Sequence, residues 1–286
     1  MLRTKDRRFV STKRVLAQIK SQKQSKYKRI LTENCTIGFP CQCNMNTFVL
    51  VEHGIDSANR YILPNILYGN TSFFVVDVKG ELLYSTRNYL EDKGYRVIVY
   101  DFVQEPELFP DIEDLLTAYD KLTAVFFVIP VAEAPYLGNI ISSLFDTIYR
   151  TADEKQLLAS SYHVHFMFDE FALLGKIKGL QEFLSFAASH NTSVSICVAF
   201  VSQMEALYSY DIPALCDIVL IMGIRSSLTT RYLCNRLGLF ADPSQALILV
   251  RCFEPCLDHK WNCKPFYDAA FQASYEAHKR QEQECS

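Results

Sequence analysis

The chain has 286 residues, 49% of them hydrophobic, with ten cysteines and a net charge of −3, enough apolar material for a large core in one or two domains. No run approaches the roughly 18 consecutive apolar residues that span a bilayer, and the first residues are too basic and polar for a secretory signal, which argues against membrane-spanning and secreted disulfide-framework classes. The expected location is cytoplasmic, with peripheral contact at the inner face of the cell membrane as the only membrane role open to it.

The charge is uneven. Residues 1–30 hold eleven Lys or Arg against one acid, Asp6; that segment carries +10, so from a total of −3 the remainder carries −13. Residues 1–45 read as a basic arm and lead-in. Arg3, Lys5, Arg7, Arg8, Lys13 and Arg14 are its nucleic-acid-binding candidates, because clustered cations displace the counterions of phosphate backbones. Anionic lipid, an acidic partner or a solvated, partly helical leader fit the same composition.

Beyond the arm, apolar runs and helical patterns alternate. Strands are expected at Thr47–Val51, Ser72–Asp77, Tyr95–Asp101, Ala124–Ile129, His163–Phe168, Val194–Val201, Ile218–Met222 and Ala246–Arg251. Helices are expected from about Glu81 to Lys93, where Gly94 stops the chain, and at Gly138–Ala152, Leu180–His190 and Thr229–Leu237. Residues 102–112 are proline-containing and acidic, a loop, and 269–286 form a polar tail. This rhythm argues an α/β fold with a mostly parallel, buried sheet and helices on both faces.

The stretch His163–Gly175 carries the chemistry. An apolar strand climbs to adjacent carboxylates, Asp169 and Glu170, at the strand end where ligands of open α/β sheets sit. In a nucleotide hydrolase the first would hold Mg²⁺ and the second would orient the attacking water. The pair could equally begin the next helix, where the backbone dipole favours negative charge. Cys197, Cys216 and Cys234 lie in apolar or helical surroundings and read as buried free thiols. Cys252, Cys256 and Cys263 with His259 lack the two paired hooks of a zinc module, and no metal site is expected.

Several ordered stretches together resemble the TraG/TraD-type coupling proteins of type IV secretion and conjugative DNA transfer. They are Arg60–Leu67, Phe73–Leu82 (Phe-Phe-Val-Val-Asp-Val-Lys-Gly-Glu-Leu), Ala152–Asp153, His163–Gly175, Ser193–Tyr208, Gly223–Gly238 and Leu247–Pro255. The resemblance implies a RecA-like P-loop NTPase core over residues 46–268, an ATPase that pumps DNA and relaxase-bound substrates through a membrane channel, usually as a hexamer. It implies ATP and Mg²⁺ as cofactors of intact members, and DNA, a relaxase, a full-length coupling ATPase or other secretion subunits as partners. Asp169 and Glu170 take the catalytic acidic places in this resemblance. Asp77, Lys79, Gln203 and Thr229 take cofactor-binding places, with a helix-start ion-pair cluster and ordinary helix residues as the competing readings.

Two departures follow from the same resemblance. The phosphate loop precedes Pro64-Asn65 in the family, and here Ala58 stands at the lysine place and Asn59 at the hydroxyl place, with Glu52 and Asp56 where polyphosphate would approach. Ala188 and His190 stand where the family carries arginines, and Ala199 where it carries a glutamine. The all-helical insert is missing, because only residues 102–121 separate two consecutive strands. The expectation is therefore a non-hydrolysing or accessory coupling-protein core with no cofactor of its own. The alternatives are an ATPase using an atypical loop or partner-donated residues, and a non-functional remnant of a mobile element.

Overall fold

The computed structural model describes residues 27–39, 44–51, 56–78, 80–105, 110–111, 115–151, 161–209, 211–223, 245–251 and 255–259. A hairpin of β1 (Tyr27–Thr32) and β2 (Cys35–Phe39) comes first. The strands β3 (Thr47–Val51), β4 (Ser72–Asp77), β5 (Arg96–Asp101), β6 (Thr123–Val128), β7 (Val164–Phe168), β8 (Thr192–Val198), β9 (Ile218–Met222), β10 (Gln245–Val250) and β11 (Cys256–His259) then build one nine-stranded sheet. Its order is β11-β10-β9-β3-β8-β7-β4-β6-β5. Neighbours from β9 to β5 pair in parallel, and β10 runs antiparallel to both β9 and β11.

The strands are legible because they are covered on both faces. β3, β4, β6, β7 and β8 are buried at every position, the condition under which a strand reads as a continuous apolar run. Odd and even positions then serve two cores. Phe74, Phe127, Phe166, Phe168 and Ile196 join one core with helices α3 (Ala134–Thr151) and α4 (Leu180–Phe186). Aromatic stacking is dense there, with Phe145 and Phe183 centroids 3.7 Å apart. On the opposite face, Val49, Phe73, Val75, Phe126, Met167 and Cys197 pack with α1 (Leu63–Tyr68), α2 (Glu81–Asp92) and the hairpin. A further helix, α5 (Val201–Leu207), follows β8.

Helix α2 ends as the sequence predicts, with Gly94 at φ +84° just past its last turn. Helix α1 extends a wider turn at Ala58–Ile62. Pro64 has no N–H to donate to Arg60, and a widened turn directly ahead of it accommodates that loss. The Tyr61–Asn65 segment, to which the sequence assigns no element, is thus the helix that follows β3.

The hairpin and β11 were not expected either. Residues 27–39 lie in the stretch read as arm and lead-in, yet they form the β1–β2 hairpin, and Arg29, counted among the arm's charges, is 2% exposed. The helix expected at Thr229–Leu237, the tail 269–286 and the arm up to residue 26 lie outside the described residues. Among the described residues, no helix is long and apolar enough to cross a membrane.

Candidate functional site

All seven parallel strands end at one edge, and the loops after them form the site. The register aligns Val76 of β4 with Phe168 of β7, so Asp77 and Asp169 emerge side by side. β8 lies between β7 and β3, and the chain leaving β3 must reach past it to meet the acidic pair. It does so with Ser57, whose hydroxyl donates to Asp169 Oδ1 at 2.5 Å. The hydroxyl facing the first carboxylate therefore sits two residues ahead of Asn59, the place assigned by alignment on Pro64-Asn65.

Asp56 occupies the start of the same helical segment. Its Oδ1 accepts the Asn59 backbone N–H at 3.1 Å, its Oδ2 accepts the Asn59 side-chain amide, and its carbonyl accepts the Arg60 N–H at 3.1 Å. A carboxylate thus caps the helix N-terminus, where exposed N–H groups and the backbone dipole favour an anion. Ala58 is half-buried and offers no charge. Glu52 and Gly54 lie outside the described residues.

Asp169 is half-buried, and its carboxyl is pushed up to about 6. Burial is the main cause, the Ser57 hydrogen bond opposes it, and Glu170, Asp56 and Asp77 add like-charge repulsion. Glu170 is exposed and holds φ +47°, a left-handed conformation that costs a side-chain-bearing residue about 1–2 kcal/mol. It begins the single turn Phe171–Leu174, and its carbonyl accepts the Leu173 N–H at 2.9 Å. The acidic pair therefore ends the strand in a sharp corner instead of running into a long helix.

The remaining candidates divide. Asp77 is 3% exposed, and its Oδ2 accepts the Leu83 N–H at 2.8 Å, capping α2 behind Gly80. Gln203 lies in the first turn of α5 at the same sheet edge, where its Oε1 accepts the Phe200 N–H at 3.2 Å. Both side chains accept backbone N–H groups at helix starts. Lys79, Thr229 and the six arm cations Arg3, Lys5, Arg7, Arg8, Lys13 and Arg14 lie outside the described residues. His190 precedes β8 and so stands at the opposite edge from Asp169, stacked on Phe186 with centroids 3.8 Å apart.

Cys35, Cys197, Cys216 and Cys256 are buried free thiols. Among the described residues no group of three or more His, Cys, Asp and Glu is arranged to hold a metal ion. A groove of about 490 Å³ between α3 and α4 is lined by Phe145, Tyr149, Lys178 and Glu182, away from the acidic edge.

A parallel sheet with β8 inserted between the loop-bearing strand and the acidic strand, and a helix start turned on the acidic pair, defines an α/β P-loop NTPase fold. Residues 163–244 match the family model described as the TraM recognition site of TraD and TraG. That stretch is thus similar to the TraG/TraD type, the family that the sequence resembles. Among solved structures the chain is similar to the bacterial conjugative coupling protein TrwB lacking its first 70 residues, in an unbound form: TM-score 0.59, 12% identity, over 88% of this chain and 93% of that one. It is also similar to the plasmid coupling protein TrwB in complex with the non-hydrolysable ATP analogue ADPNP (TM-score 0.56, 12% identity, 88% and 92% covered). The same protein in complex with ADP and Mg²⁺ gives TM-score 0.56 at 10% identity, over 88% and 93%. No curated protein matches the chain significantly. At such identities the structural likeness establishes the fold.

Proposed function

We propose that this chain is a coupling-protein core that recruits DNA and relaxase substrates for conjugative transfer as a non-hydrolysing, accessory subunit. The observation carrying this reading is the helix start at Asp56-Ser57. In a P-loop the residue before the Mg²⁺-binding hydroxyl is a lysine that meets the β- and γ-phosphates. If Ser57 is that hydroxyl, the lysine place is Asp56, an acid already bound to the helix N-terminus. Replacing an attractive charge by a repulsive one opposes a triphosphate by several kcal/mol, and Asp77, Asp169 and Glu170 add to the same negative field. The residues present therefore do not fit ATP.

In this reading residues 46–268 are the core and the basic residues before Tyr27 contact DNA phosphates. The match to a TraM recognition site supports a protein partner for residues 163–244. A full-length coupling ATPase of the same cell supplies hydrolysis. A second reading, an ATPase completed by partner-donated residues, is favoured by the retained Ser57–Asp169 contact beside Glu170.

Calorimetry with ATP and ADP in Mg²⁺ separates the two. Wild type is expected to bind neither. Asp56→Lys is expected to gain nucleotide affinity, and the pair Ala58→Lys with Asn59→Ser is not, because the hydroxyl on Asp169 belongs to Ser57. Tight, Mg²⁺-dependent binding by wild type followed by turnover would overturn the accessory reading and establish the second.

A further inference from the structure

The groove between α3 and α4 has two walls of the same make. From α3 it is lined by Phe145, Asp146 and Tyr149, and from α4 by Glu182 and Phe183. These positions stand three and four apart on their helices, so each set forms one stripe. The walls meet at the floor, where the Phe145 and Phe183 rings stack 4° from parallel. At one end the Lys178 N–H donates to Ser142 Oγ at 3.0 Å, joining the loop before α4 to α3. At the other end the Tyr149 ring leans on Phe186, with centroids 5.0 Å apart, and is still 56% exposed. Exposed aromatic surface in a concavity with a polar rim marks a place that a partner covers. The volume of about 490 Å³ lies within the range of recognition pockets, about 300–1,000 Å³.

The charges of the lining select the occupant. Asp146 follows Phe145 on one wall and Glu182 precedes Phe183 on the other, so each wall carries an exposed carboxylate beside a floor ring. Asp146 holds Arg150 at 2.8 Å in an exposed pair. Glu182 and Lys178 make no ion pair among the described residues. Two carboxylates against one ammonium leave the lining acidic, and the body around it is acidic too. A guanidinium suits such a lining: it is drawn to the face of a tyrosine ring and forks onto a carboxylate. An aliphatic neighbour would cover the floor, whereas an acidic side chain would be repelled from both walls.

We propose that the α3–α4 groove docks a segment of a protein partner carrying an arginine beside an aliphatic side chain, with the guanidinium set between Tyr149 and Glu182. The inference rests on the reading that residues 163–244 take a protein partner, the stretch in which Lys178, Glu182 and Phe183 lie. It adds the surface that receives the partner and the chemistry the partner must present.

Fluorescence anisotropy of the full chain with a labelled peptide of about 12 residues, Arg-Leu-Ala-Ala repeated, tests it. Wild type is expected to bind this peptide at least about tenfold more tightly than its Glu-Leu-Ala-Ala counterpart. Glu182→Gln keeps the shape and removes the carboxylate, and Tyr149→Ala removes the exposed ring. Each should weaken the arginine peptide about tenfold, as the loss of an anchoring contact does. Glu105→Gln removes an exposed acid beyond the end of β5 and should leave the affinity unchanged, which separates the groove from the general charge of the body. No binding by wild type, equal binding by both groove variants, an equal loss in Glu105→Gln, or no preference for arginine over glutamate would overturn the groove. Displacement of the probe by a peptide of residues 1–26 more readily than by the unlabelled probe would overturn it in favour of this chain's own arm. A dimer that Tyr149→Ala dissociates would overturn it in favour of a second copy. Co-purification with the relaxase and the full-length coupling ATPase of the same cell decides the partner reading separately. A partner held as well by Glu182→Gln and Tyr149→Ala as by wild type leaves that reading standing and overturns the groove, and a wild type that holds neither protein overturns the reading itself.

Discussion

Asp169 sets the chemistry of the acidic edge through its proton. Its folded value is about 6, against about 3.9 in an unfolded chain. The folded protein thus holds this proton more tightly than the unfolded one. The stability it contributes is fully present below about pH 4 and is lost as pH rises through 6. Two pKa units correspond to under about 3 kcal/mol, and partial exposure reduces this to about 1 kcal/mol. Asp169→Asn is therefore expected to be about 1 kcal/mol more stable than wild type at pH 7 and about equal to it at pH 4, measured by urea unfolding at both values. Ser57→Ala removes the one contact that lowers this carboxyl, so carboxyl NMR should find Asp169 titrating above its wild-type midpoint. An unmoved midpoint would mean that the hydroxyl does not hold the carboxylate in solution. Asp169 was legible in the sequence because it terminates an apolar run. Ser57 was not, because a Pro-Asn pair fixed the alignment, and nothing in one-dimensional spacing reports that the hydroxyl on Asp169 comes two residues before the expected place.

At the scale of elements, the corner carrying the acidic pair is held from behind by α3. A Cβ built on Gly138 would lie 2.2 Å from the Leu174 carbonyl oxygen, a backbone contact that no side-chain rotation relieves. Gly138→Ala must then push α3 away from the Phe171–Leu174 turn, at the cost of overpacking, about 1–3 kcal/mol. Urea unfolding measures that loss, and hydrogen exchange should quicken at residues 171–175. A variant as stable as wild type would show that α3 and the turn are not in contact in solution. This glycine is the first residue of the helix expected from the sequence, whereas the observed helix starts four residues earlier at Ala134; the close approach comes from a turn that follows it by more than thirty residues. The same separation explains what else the sequence concealed. Strands such as Ser72–Asp77 advertise themselves by burial on both faces. The hairpin does not, since polar side chains from far along the chain fasten it: Asn65 at a separation of 35 residues from Ile30, and Asp258 at 226 from Thr32, whose hydroxyl it accepts at 2.5 Å. Asp258 also accepts the Asn34 N–H and side-chain amide, each at 2.9 Å, so one buried carboxylate ties the hairpin to the far edge of the sheet. Local composition around residues 27–39 looks like a continuation of the basic arm, and tertiary partners decide otherwise.

For the whole molecule, the sheet separates two charged ends. The Tyr27 hydroxyl donates to the Ser161 carbonyl at 2.7 Å, which places the start of β1 beside the beginning of β7, at the edge opposite Asp169. The basic residues thus join the fold at the edge away from the carboxylates, and the chain beyond residue 30 carries −13. A body of that charge repels DNA at low salt, so any affinity for a duplex must come from the arm. If Arg3, Lys5, Arg7, Arg8, Lys13 and Arg14 each meet a phosphate, log K should fall with log salt at a slope near −5, about 0.9 per contact. Replacing all six by Gln removes those contacts and six positive charges, taking the net charge from −3 to −9, so both the slope and the low-salt affinity should collapse together. Fluorescence anisotropy of a labelled duplex across a salt series measures both. A slope unchanged in the six-fold variant would place the phosphate contacts elsewhere on the chain. Because a charge-neutral surface would bind weakly but not exclude DNA, the negative body has its own consequence: raising salt should slightly improve residual binding of the six-fold variant while weakening that of wild type, and this opposite sign distinguishes an arm that recruits DNA from a body that merely tolerates it.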